Sequence, residues 1–126
     1  MKKTGMMWGL CIAMGLSTAS FAGAKDSSPV YVDPVNGVAI ANMGAARNSP
    51  DTNMNLYCHT NSYNYGYCSA TDASGTTVSC MTSNASMVAV IRSMTSDAAV
   101  LFYFDSTGTC TDIMVGTGSH HEPKAP

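Results

Sequence analysis

Four cysteines, Cys58, Cys68, Cys80 and Cys110, follow a segment with the features of an export leader, and that combination constrains the chain more than anything else in it. Lys2 and Lys3 precede an uncharged, mostly apolar run from Met6 to Leu16, and small residues lead on to Ala22-Gly23-Ala24. A charged head, an apolar middle and an Ala-x-Ala exit are what a secretory signal requires. The run of 11 residues would rise about 16 Å as a helix, well short of the roughly 30 Å hydrocarbon core of a bilayer. Residues 1–24 therefore read as a signal peptide, with cleavage before Lys25 or two residues earlier. Cys11 lacks the small residues that precede a lipid-attached cysteine and reads as apolar filler. The expected location is outside the cytoplasm of a bacterium, periplasmic or secreted.

In an oxidising compartment an even set of cysteines predicts two disulfides. No Cys-x2-Cys pair is present to grip a zinc ion from a single turn. Four cysteines permit three pairings. A hairpin centred on Ser74 would set Cys68 opposite Cys80 and Ala70 opposite Val78 on one side of the pleat, which slightly favours Cys68 with Cys80 and Cys58 with Cys110. Directly opposed cysteines demand a tolerable geometry, so Cys58 with Cys68 and Cys80 with Cys110 stays open.

Without residues 1–24 the chain carries four basic and eight acidic groups, a net charge of −4, and 32 of its residues are Ser, Thr or Asn. Its surface must be solvated largely by uncharged hydroxyls and amides. With only 11% charged residues overall it lacks the basic footprint of a nucleic-acid binder and the charge density of a disordered tail. No phosphate-binding loop, dinucleotide fingerprint or nucleophile elbow occurs in it. No later apolar run approaches spanning length, so no stable membrane insertion is expected.

The periodicities predict a chain of short strands. Val30 to Val35 and Val38 to Met43 flank Asn36-Gly37, a strong hairpin signal, with Pro34 confining the first strand to an edge. Gly44 to Asn53, containing Ser49-Pro50-Asp51, reads as a loop. Met54, Leu56 and Cys58 alternate with Asn55, Tyr57 and His59; a strand from Asn64 to Thr71 and another from Thr76 to Thr82 complete a meander around the Asp72-Ala73-Ser74-Gly75 turn. Met87, Val90, Ile91 and Met94 form a helical stripe over Asn84 to Met94, capped by Asn84 or Ser86. Asn84-Ala85-Ser86 also fits a glycan acceptor and is read as the cap. Ala98 to Phe104 and Thr109 to Val115 make a final hairpin about Asp105-Ser106-Thr107-Gly108. The expected fold is α+β: an antiparallel sheet of five to six strands with one short helix, stapled by two disulfides. Residues 25–115 form that domain and residues 116–126 a flexible tail.

Tyr67-Cys68-Ser69-Ala70-Thr71-Asp72, Gly75, Ser79-Cys80, Phe102-Tyr103-Phe104-Asp105, Gly108 and Cys110 resemble a group of small exported cysteine-containing bacterial domains of myxobacteria-like genomes. The resemblance covers roughly residues 54 to 115, rests on turn and cysteine positions, and implies a shared fold with no activity attached.

Among residues able to carry chemistry, His59 would need a nucleophile and an orienting carboxylate to act as a base, and the sequence singles out neither. Asp72 and Asp105 sit at turn openings, where aspartate is favoured for local hydrogen bonds; Asp97 and Asp112 complete the carboxylates from which a hydrolytic pair would have to be drawn. His120 and His121, beside Glu122, make a weak metal candidate, because adjacent histidines on a mobile tail lose ordering entropy on binding. The body methionines read as core filler, and no cofactor is expected. Tyr57, Tyr63, Tyr65 and Tyr67, interleaved with His59, are the main binding candidates: tyrosine combines a large contact area with a polar tip. The sequence thus points to a non-enzymatic exported protein acting by surface recognition or as an envelope or extracellular component, its partner an unknown protein or glycan. The alternatives are an enzyme inhibitor using loop 44–53 or 59–64, and a small hydrolase built on His59.

Overall fold

The computed structural model describes residues 25–126, and the leader expected over residues 1–24 lies outside them. Seven strands form two antiparallel sheets, where the sequence reading expected one sheet of five or six. The first sheet has the order β1-β2-β6-β7, built from β1 (Tyr31–Asp33), β2 (Val38–Asn42), β6 (Ala99–Phe104) and β7 (Cys110–Gly116). The second is a meander of β3 (Asn55–Thr60), β4 (Gly66–Thr71) and β5 (Thr77–Thr82). The split follows from β2 pairing with β6, so that the meander is an insertion between two neighbouring strands of the first sheet.

The first hairpin forms, but β1 ends at Asp33 and Pro34 lies in the turn, where the sequence reading ran the strand on to Val35. The Asp33 carboxylate accepts from the backbone N–H groups of Val35 and Asn36, and Gly37 closes the turn at φ 67°. This is a left-handed conformation that glycine adopts without steric cost. β1 stays at the sheet edge, as proline beside it requires.

A helix, α1 (Met43–Asn48), occupies the start of the segment read as a loop. Asn42 caps it by accepting from Gly44 N–H, and Gly44, Ala45 and Ala46 are buried. Six residues are too few to show a helical stripe, so burial of small side chains decides the conformation here. The longer helix, α2 (Ala85–Arg92), falls inside the segment read as helical. Its cap is Asn84, whose side chain accepts from the N–H groups of Ser86 and Met87.

The inner faces of both sheets meet in one apolar core. Val32, Ala39 and Phe102 come from the first sheet, and Cys68, Ala70 and Val78 from the second. Ile91 of α2 joins them, and its Cδ1 reaches the backbone of Gly66, where a side chain on β4 would exclude it.

The disulfides are Cys58–Cys68 and Cys80–Cys110, which corrects the favoured pairing and selects the one left open. The β4–β5 register does set Cys68 opposite Cys80 and Ala70 opposite Val78. The β3–β4 register, however, also sets Cys58 opposite Cys68, so three cysteines form one row across the meander. Cys110 reaches only the β5 end of that row, because Met81 N–H donates to Gly108 O at 2.9 Å and draws the start of β7 alongside β5. The Cys80–Cys110 bridge therefore joins the two sheets.

Asp72 and Asp105 organise their turns in the same way. In each, the Oδ1 atom accepts from the backbone N–H two and four residues on and from the hydroxyl two residues on, Ser74 in one case and Thr107 in the other. Those hydroxyl bonds are the leading cause of the lowered pKa of both groups. The Asn36 amide chiefly lowers that of Asp33, and the Ser49 hydroxyl that of Asp51. A carboxyl held below its unfolded value binds fewer protons in the native state, so its contribution is present at neutral pH. It is lost as pH falls from about 4 through the folded-state values. Thermal unfolding is accordingly expected to be flat between pH 7 and 5 and to drop in midpoint below about pH 4. The Asp72→Asn and Asp105→Asn double variant should flatten that acid limb, and an unaltered limb would assign acid sensitivity elsewhere.

The segment after β7, expected to be a mobile tail, runs back along the body. Glu122 N–H donates to Asp26 O, Asn48 donates to both Glu122 and Pro123 O, and Asp97 and Asn48 accept from the backbone N–H groups of Lys124 and Ala125. Gly44 packs so closely under Glu122 that a Cβ there would overlap the tail backbone.

Candidate functional site

Strand alternation puts Leu56, Cys58, Cys68, Ala70, Val78, Cys80 and Thr82 on the inner side of the meander and the alternate side chains outside. The outer face has three ranks, fixed by register: Asn55, Thr71 and Thr77; Tyr57, Ser69 and Ser79; His59, Tyr67 and Met81. None of these nine residues carries a carboxylate, ammonium or guanidinium group. The face is therefore an uncharged field of hydroxyls with aromatic and thioether groups at one end.

At that end Tyr57, His59 and Tyr67 form a triangle of rings. The centroids of Tyr57 and His59 are 5.2 Å apart, those of His59 and Tyr67 5.3 Å, and those of Tyr57 and Tyr67 6.3 Å, with tilted or edge-on planes. These separations are the ones aromatic pairs prefer. Tyr57 is 50% exposed and Met81 45%, so the cluster presents apolar area to solvent. Directly behind it the Cys58–Cys68 bridge fixes the β3–β4 register that assembles the triangle.

Tyr63 and Tyr65 do not join these ring contacts; they lie in the turn between β3 and β4. Asn61 organises that turn, its side-chain oxygen accepting from the N–H groups of Tyr63 and Tyr65. Arg92, at the end of α2, donates to Asn61 O at 3.1 Å and to Asn64 Oδ1 at 3.4 Å. Asn64 takes φ 60°, a left-handed conformation that asparagine tolerates better than most residues. Tyr63 stands 89% exposed at the tip of this braced turn. The five residues proposed from sequence as a binding surface thus divide into a ring triangle on the sheet and two tyrosines on the adjoining turn.

His59 makes no hydrogen bond to a hydroxyl or carboxylate among the described residues; its neighbours are the two tyrosine rings. Asp72 and Asp105 are engaged in their own turns, and Asp97 accepts from the tail backbone.

The tail histidines are placed differently from the sequence expectation. His120 and His121 lie with ring centroids 4.2 Å apart, and Asp26 joins them, one donor atom from each of the three residues lying within 4.8 Å of the others. Asp26 was missed because it stands near the opposite end of the described chain, and only tertiary pairing of the two end segments brings it to the histidines. The three line an open cleft of about 720 Å³, bounded also by Lys25, Asp97 and Glu122. The Asp26 pKa is lowered, first by the Ser28 hydroxyl that donates to its carboxylate and then by the Ser28 backbone N–H.

No protein-family model, curated protein or solved structure matches the chain. Among the described residues no helix is long and apolar enough to cross a membrane.

Proposed function

We propose that this chain is a non-enzymatic exported protein that acts by surface recognition, with the outer face of the meander as its contact region. The observation that carries the reading is the triangle of Tyr57, His59 and half-buried Tyr67 on the solvent side of the meander, braced from behind by a disulfide and set in a field without formal charge. A preformed aromatic surface loses little conformational freedom on binding, and tyrosine supplies both ring area and a hydrogen-bonding tip. The partner such a face suits is uncharged and amphipathic, offering apolar patches beside hydroxyl or amide groups, as a glycan chain or a neutral protein surface does. Two disulfides and the leader-like residues 1–24 support a periplasmic or extracellular setting.

Co-sedimentation with insoluble envelope polysaccharide, and capture from envelope extract before and after glycosidase treatment, tests the reading and separates the two partner classes. The Tyr57→Ala and Tyr67→Ala double variant is expected to lose at least tenfold in affinity, consistent with buried tyrosine anchors of about 1 kcal/mol or more each. Its melting temperature should change little, since both side chains lie on the solvent side. Unchanged retention would remove this face from consideration.

The braced turn favours an inhibitor as the second reading, with Tyr63 inserting into the cleft of a target enzyme. Inhibition across a panel of lysozymes and proteases that disappears in Tyr63→Ala while polysaccharide retention persists would favour it over the first.

A further inference from the structure

We propose that Asp26, His120 and His121 form a binding site for a divalent late first-row transition metal ion, Cu²⁺, Zn²⁺ or Ni²⁺. Two imidazoles and one carboxylate are a donor set these ions accept, and three protein donors leave a coordination position open toward the cleft. One donor atom from each residue already lies within 4.8 Å of the others, so small side-chain rotations would bring all three onto one ion.

Two further features point to a ligand. The Nδ1 atom of His121 is shut off from solvent and has no hydrogen-bond partner among the described residues. A buried imidazole nitrogen without a partner is unfavourable, and coordination would satisfy it. The His120 ring also lies over Gly118: a Cβ on that residue would come within 2.6 Å of His120 Cε1 and 2.7 Å of its Nδ1. The ring can take this position only because residue 118 has no side chain.

The entropy objection to histidines on a free tail weakens here. The Asp26 N–H donates to His120 O, and the backbone N–H groups of Glu122, Lys124 and Ala125 donate to Asp26 O, Asp97 and Asn48, so the segment is already held against the body. The Asp26 carboxylate is independently oriented by Ser28. An ion at this position would clip the segment around Asp26 to the one around His121, two stretches that neither disulfide joins. The site does not involve the tyrosine face, so the two proposals stand or fall separately.

The test is isothermal titration of the purified protein with CuCl2 and with ZnCl2, together with electron paramagnetic resonance of the copper form. One equivalent is expected to bind, with two imidazole nitrogens coupled to the copper spin. Asp26→Asn and His121→Ala should each weaken binding by about tenfold or more, since even partners outside the coordination shell are worth 10- to 100-fold. Gly118→Ala keeps all three donors but displaces the His120 ring, and the same loss is expected there, which guards against a folding defect in either ligand variant. Binding that is lost in His121→Ala but unchanged in both Asp26→Asn and Gly118→Ala would mark casual capture by adjacent histidines and overturn the site. Absence of binding at millimolar metal would overturn it as well.

Discussion

Replacing Phe102, the largest of the fully buried side chains among the described residues, with alanine is expected to lower the unfolding free energy by about 3 to 5 kcal/mol. Phe102 is fully buried on β6, opposite Ala39 of β2 and Ile113 of β7, with the Phe104 ring 6.0 Å away. The two neighbouring strands offer unequal partners, a methyl group on one side and an isoleucine on the other, so the phenyl ring fills the space that Ala39 leaves. No small residue nearby can swing into the vacated volume, because strand backbones hold Ala39 and Ala41 at fixed distance. For a small domain with about 5 to 15 kcal/mol of total stability, such a loss leaves a marginal fold. Urea unfolding of Phe102→Ala beside Tyr103→Ala measures this directly. Tyr103 is the next residue on the same strand and is 39% exposed, so its truncation should cost no more than about 1 kcal/mol. Equal losses at the two positions would mean that β6 does not bury the face described here.

Loss of the Cys80–Cys110 bridge is the second large effect. In the chain-entropy account the stabilisation grows with the length of chain closed, and the sequence separations are 30 for this bridge and 10 for Cys58–Cys68. That account gives about 3.6 kcal/mol for the longer loop and about 2.7 kcal/mol for the shorter. Structure adds to the difference. Cys58–Cys68 ties two strands already paired in one sheet, whereas Cys80–Cys110 ties one sheet to the other, and both of its cysteines are buried. The double alanine variant at Cys80 and Cys110 should therefore unfold at lower urea concentration than the one at Cys58 and Cys68. The reverse order would show that the inter-sheet contact is held by the core alone. Removing Cys58–Cys68 has a different signature: stability falls less, while the register behind the tyrosine triangle loosens, so partner retention should suffer more than the melting temperature.

The parts of the fold that were legible in the sequence are the local ones. The Asp72 to Gly75 turn, with strands of alternating burial on either side, gave the β4–β5 register residue by residue, and the same alternation put Tyr57, His59 and Tyr67 on the outer face. Asn84 as a helix cap was readable because its geometry depends only on the next three residues. What was hidden depends on contacts between distant segments. Nothing within Val38–Asn42 announces that β6 is its partner, so the division into two sheets could not be seen. α1 is less than two turns long and leaves no periodic trace. The disulfide pairing was misjudged for a related reason. Either hairpin register alone would favour a different bond to Cys68, and the choice is made by Cys110, which arrives from another sheet. Asp26 likewise gains its meaning only when the tail lies beside it.

The measurement that bears most directly on this account is a disulfide map of the native protein by non-reducing proteolysis and mass spectrometry. Tyr63 and Tyr65 separate Cys58 from Cys68, Asp72 separates Cys68 from Cys80, and Arg92 separates Cys80 from Cys110, so each bond yields a distinct linked peptide pair. Linked peptides joining Cys58 to Cys68 and Cys80 to Cys110, with no free thiol among the four, are the predicted result. A Cys68–Cys80 link, or four reduced cysteines in the native protein, would contradict both the union of the two sheets and the braced face built upon it.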